Sequence, residues 1–121
     1  MRFAKRVFTA AGVYGLVVLT PMLFVEHQVA APAARLDHPE YFYGFLLIAI
    51  AAQVLFLLIG RDPVGLRPAM IFAVLEKVPF GATALVLAQQ GRAGGALVVF
   101  SGIDIALGVL FAIAWFRTPS V

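Results

Sequence analysis

Four apolar runs, each about as long as a membrane is thick, fill most of this chain and leave little outside them. A hydrocarbon layer about 30 Å across takes about 20 residues of helix, so the runs predict four membrane-spanning helices. We place them at about 7–25, 42–60, 68–89 and 96–116, in one integral membrane domain covering residues 1–121. The composition agrees: 63% of residues are hydrophobic and 12% charged, against about 25% charged in ordinary soluble domains. The expected fold is all-α, a four-helix antiparallel transmembrane bundle. Any function then sits within the bundle or its short loops.

The third run is the most demanding, because it carries Glu76 and Lys77 side by side in Ala69-Met70-Ile71-Phe72-Ala73-Val74-Leu75-Glu76-Lys77. Eight residues of helix after Pro68 put Glu76 about 12 Å deep. Each ionisable group at such a depth costs at least about 2.5 kcal/mol on insertion scales, so partners must come from the other helices. The same depth count places Tyr14 and Gln53 at about 10–12 Å and Asp104 at about 18 Å. These five residues are expected to share one polar layer. Neighbours on a helix differ by about 100°, so Lys77 is expected to meet Asp104, and Glu76 to turn toward Gln53 and Tyr14. Thr83, seven residues after Glu76, extends that face into a polar track. Ser101, Asp104, Gly108 and Ala112 recur at spacings of three and four, a small-residue stripe that predicts close approach of another helix beside Asp104.

Alternate loops divide the basic residues unequally. Arg2, Lys5, Arg6, Arg61, Arg67 and Arg117 fall on one side and Arg35 and Arg92 on the other, while the ninth, Lys77, lies inside a span. The positive-inside rule puts both termini in the cytoplasm and argues against a chain that inserts both ways. At the N-terminus, the small residues of Val29-Ala30-Ala31-Pro32-Ala33-Ala34 resemble a signal-peptide cleavage site. The preceding apolar run exceeds an ordinary signal core, and Glu26 and His27 separate it from the alanines; we read it as an uncleaved anchor. The larger outer loop, 26–41, contains Pro32 and Pro39, which oppose a long helix there. Its Glu26, His27, Asp37, His38 and Glu40 match no metal-ligand spacing and read as a solvated acidic loop. Pro79 is expected to kink the third helix, because it has no N–H for the Leu75 carbonyl. The phenylalanines read as lipid-facing and core filler.

With no cysteine there is no thiolate chemistry, and no nucleophile elbow, phosphate loop or metalloprotease motif is present. No cofactor or metal is expected. The expected surroundings are a lipid bilayer, with a homo-oligomer or a membrane partner protein and no nucleic acid. His38-Pro39-Glu40-Tyr41-Phe42-Tyr43-Gly44-Phe45, then Asp62-Pro63 with Arg67-Pro68, then Glu76-Lys77-Val78-Pro79-Phe80-Gly81 together resemble a group of small bacterial inner-membrane proteins of unassigned function. The resemblance covers about the middle half of the chain and implies a bacterial four-span protein without bringing an activity. Size and span number are also loosely similar to the DoxX-like membrane proteins, an analogy of architecture alone. Three readings of the polar layer stay open: a non-enzymatic centre that binds or passes a small ligand or proton, an accessory or structural subunit held together by its charges, and a membrane-embedded enzyme.

Overall fold

The computed structural model describes residues 2–24, 39–92 and 94–120. It contains four helices: α1 (Arg2–Met22), α2 (Pro39–Arg61), α3 (Ala69–Gln89) and α4 (Gly95–Arg117), with no strand among the described residues. All four are long and apolar enough to cross a membrane. The fold is the expected all-α four-helix bundle.

Two helix ends differ from the sequence expectation. The second helix begins at Pro39, inside the segment read as outer loop. Proline opposes a helix interior but suits its first turn, where the missing N–H would have no partner anyway. The first helix already starts at Arg2, because its charged turn continues the helix beyond the apolar run. The rest of the acidic loop, with Glu26, His27, Asp37 and His38, lies outside the described residues.

The connections are built locally. After α2, the Gly65 N–H donates to Asp62 Oδ1 at 3.1 Å and the Leu66 N–H to the Asp62 carbonyl at 3.0 Å, closing the turn into α3. After α3, Gly91 takes a φ of 72°, Arg92 N–H returns to the Leu87 carbonyl at 2.8 Å and Gly91 N–H to that of Ala88 at 3.0 Å. This is the paired closure of a Schellman turn, and a side chain at Gly91 would strain it. Tight turns of this kind make α2 and α3, and then α3 and α4, run antiparallel.

Packing is uneven around the bundle. The first helix lies along α2, and α3 along α4; the two pairs meet chiefly through α1 and α4 and only sparingly through α2 and α3. Near the end carrying Arg2, Arg61, Arg67 and Arg117, the interior is filled. Phe8 stacks on Phe111 with ring centres 4.3 Å apart, and Phe56 meets Phe111 at 5.0 Å and Phe8 at 6.1 Å. Ile59, Met70 and Ala114 complete this fully buried cluster. Arg67 closes the end from outside: its Nε donates to the Trp115 carbonyl at 3.1 Å and its guanidinium lies 3.7 Å from the Trp115 ring centre. Toward the opposite end the interior opens.

Candidate functional site

The buried face of α3 is Met70, Ala73, Lys77, Gly81 and Ala84, spaced at three and four. Lys77 therefore points into the bundle by register. Across from it, Ser101, Gly108, Phe111 and Ala114 are the buried positions of α4, with Asp104 between the first two. Two glycines hold these helices close: a Cβ at Gly81 would stand 3.0 Å from the Ser101 carbonyl oxygen, and one at Gly108 would run into Val78. This close approach is what the small-residue stripe predicted, and it sets the Lys77 ammonium against the Asp104 carboxylate. Lys77 Nζ donates to Asp104 Oδ1 at 3.4 Å.

Glu76 departs from its expected arrangement. Its Oε2 lies 3.5 Å from the same Lys77 nitrogen, so one ammonium serves two carboxylates. The 100° separation between adjacent residues was expected to send them to different neighbours, but both side chains are long enough to curl toward each other. The Glu76 Oε2 atom is buried and makes no hydrogen bond, only that ionic contact. With each group in its ordinary ionisation state, two carboxylates and one ammonium leave a formal charge of −1. The ammonium also stands 5.5 Å from the Phe56 ring centre, which ties this centre to the aromatic cluster beneath it.

Gln53 comes from the buried face of α2, where Leu46, Ala49, Phe56 and Ile59 share its register. Fully buried, it donates from Nε2 to the Ala49 carbonyl at 2.8 Å. That bond uses one of the two amide N–H groups within its own helix. Its other end, Oε1, is buried without a hydrogen-bond partner. An unpaired buried acceptor costs about 1–3 kcal/mol, which makes this orientation a notable one. Room for the amide comes from Gly15 on α1, where a Cβ would overlap it. Nothing in the depth reasoning singled out Gly15, although Ala11, Gly12 and Gly15 on one face of α1 are a small-residue signal of the kind recognised on α4.

These groups surround one cavity of about 380 Å³. Glu76, Lys77, Asp104, Gln53 and Tyr14 all line it, so five of the six candidate residues are brought together. Thr83 is not among them; it is exposed. Both Glu76 and Thr83 stand one position before a buried residue of α3, on the flank of the inward face. A glutamate reaches around that flank to the centre, and a threonine is too short to do so.

The remaining wall is apolar. The second half of α1 contributes Val18, Leu19 and Met22, while Ala49 and Ala52 of α2 keep the interior wide by being small. Phe45, Phe72, Phe80 and Phe100 supply the aromatic wall, and each is about half-exposed, so the cavity reaches the outer surface of the bundle. Across the sparse α2 and α3 seam, Phe45 stacks on Phe80 with centres 5.7 Å apart. The reading of the phenylalanines as lipid-facing and core filler did not single out these four, because composition cannot separate a ring facing lipid from one beside a cavity.

An apolar chamber of this size with a few convergent polar groups has the character of a small-molecule site. No protein family, curated protein or solved structure matches the chain. The class therefore rests on the molecule itself: four apolar helices that fit a multi-pass integral membrane protein.

Proposed function

We propose that this chain is a small, non-enzymatic protein of a bacterial inner membrane, with both termini in the cytoplasm, whose interior cavity binds a small ligand. One observation carries the reading: an apolar cavity of about 380 Å³ is lined on one side by the polar residues Glu76, Lys77, Asp104, Gln53 and Tyr14. The filled aromatic cluster on the basic side supports binding from the open side rather than passage through the bundle. Orientation follows the unequal basic loops, and bacterial origin follows the motif resemblance.

The structural-subunit reading has its own support, since Lys77 contacts both carboxylates and the centre partly satisfies itself. Binding to the full chain in nanodiscs of neutral lipid separates the two. The probes are phenylbutylamine, phenylbutanol and phenylbutyrate, each corrected for uptake by empty discs. Ligand binding requires saturable uptake of at least one probe, abolished when Ala49→Phe fills the cavity without lowering the melting temperature. No saturable uptake of any probe, together with a melting temperature lowered by Glu76→Gln, would establish the structural role instead.

A further inference from the structure

We propose that the cavity takes a single hydrocarbon chain from the bilayer, admitted sideways through a slot between α2 and α3. This rests on the proposed cavity-binding function and names the ligand class and its route. Three observations carry it. The first is the shape of the opening. Phe45, Ile48 and Ala52 form one stripe along α2, and Phe72, Glu76 and Phe80 form another along α3, each at spacings of three and four, and both stripes line the cavity. Packing between these two helices is sparse, although a tight turn at Asp62 joins them. Phe45, Ile48, Phe72 and Phe80 are 38–73% exposed, so the gap between the stripes opens on the outer surface of the bundle, bridged where Phe45 stacks on Phe80.

The second is depth. Phe45 stands six residues after Pro39 and Phe80 nine before Gln89, which puts the bridged part of the slot about 9–14 Å in from the outer helix ends. Helices of 21–23 residues match a hydrocarbon layer about 30 Å thick, so what lies against the slot at that depth is lipid tail and not water. The third is the wall, which is overwhelmingly apolar. Gln53 is fully buried with its Oε1 against Gly15, Glu76 buries its Oε2 as it curls to Lys77, and Lys77 is itself buried between two carboxylates. A polar ligand would leave its water behind and find few partners here, whereas a hydrocarbon chain loses nothing. Coming from lipid, the chain gains no hydrophobic free energy, but it supplies contact atoms to walls that otherwise face a void. At about 30 Å³ for each group the size of a water, the cavity of about 380 Å³ holds about a dozen such groups, enough for one chain and too few for two.

Photolabelling of the full chain tests this, in nanodiscs containing a phosphatidylcholine with a diazirine at the end of one acyl chain. The headgroup holds such a lipid at the membrane surface, so its tail reaches the cavity only from the side. Adducts located by fragment mass spectra should fall on Ala49 and Ala52, which line the cavity and are buried, as well as on the exposed Leu47 and Leu75, which do not line it. Excess dodecane should remove the interior adducts and spare those on Leu47 and Leu75. Ala49→Phe should do the same, read at Ala52; if that variant melts lower, the dodecane competition on the unaltered chain carries the reading. Adducts confined to Leu47, Leu75 and other outward positions, with a phenylbutyl probe still taken up saturably and lost in Ala49→Phe, overturn the inference while the cavity-binding function stands. Interior adducts that dodecane does not diminish also overturn it, since they would report lipid contact without a site. No interior adduct and no saturable uptake of any phenylbutyl probe overturns both.

Discussion

The two halves of this bundle are made of nearly the same residue types and do opposite things with them. Toward the basic end, Phe8, Phe56 and Phe111 pack ring against ring in a fully buried cluster. Toward the other end, Phe45, Phe72, Phe80 and Phe100 stand around a cavity. Hydrophobicity cannot account for the difference, because lipid tails are as apolar as the side chains and give helices little reason to close. What differs is how the helices meet. On the filled side all four helices contribute to one cluster; on the open side small residues such as Ala49 leave the centre unfilled, and α2 and α3, sparsely packed along their length, meet there through Phe45 and Phe80. Lys77, Asp104 and Gln53 lie at the junction, where the filled half supports them and the open half gives them access.

The contrast is broken most directly by truncating a ring in each half. Phe56→Ala removes a fully buried ring that touches two others, and we expect a loss of about 3–5 kcal/mol in reversible unfolding from mixed micelles. A loss under about 1 kcal/mol would mean that the cluster collapses around the gap and is not a rigid support.

Next in size is the charge centre. Lys77→Met and Asp104→Leu are each expected to destabilise the bundle, with a coupling of about 1–3 kcal/mol in the double-mutant cycle. Lys77→Met should be the more damaging single change, since it strands Glu76 as well as Asp104. Strictly additive losses would show that the ammonium and the Asp104 carboxylate do not interact.

Gly15→Val probes the junction from α1. The added carbons meet the Gln53 amide, and overpacking of this kind costs about 1–3 kcal/mol. Shortening the partner in Gln53→Ser should recover most of that loss, as followed by melting temperature. If the double variant melts no higher than Gly15→Val alone, the two residues are not in contact. The smallest effect is expected at the cavity wall: Phe72→Ala, half-exposed, should change unfolding by less than about 0.5 kcal/mol while altering the uptake of aromatic probes. A large stability loss there would make the wall part of the core and erase the distinction between the halves.

Several features were legible before any fold was known because they are local or nearly so. Apolar run length announced four helices joined by short loops. Depth along each helix, a matter of 1.5 Å per residue, brought Tyr14, Gln53, Glu76, Lys77 and Asp104 to one level. Depth also misled where direction mattered. The seven-residue spacing put Thr83 on the Glu76 face, yet that face is the flank of α3, and only a long side chain returns from it. The depth count turned Glu76 toward Gln53 without allowing for the Ala49 carbonyl one turn away, which takes one of the Gln53 amide N–H groups.

The sequence by itself determined that the chain is helical and apolar enough to cross a membrane four times, that its basic residues gather at one end, and that charges meet at depth. Each of these depends on composition, periodicity or rise along a single helix. Only the tertiary structure decided that one ammonium serves two carboxylates, that Gln53 keeps a buried oxygen unpaired beside Gly15, and that one half of the bundle is filled and the other hollow. Those depend on the angles and separations between helices, which arise from side-chain packing across the whole bundle and leave no mark within any one segment.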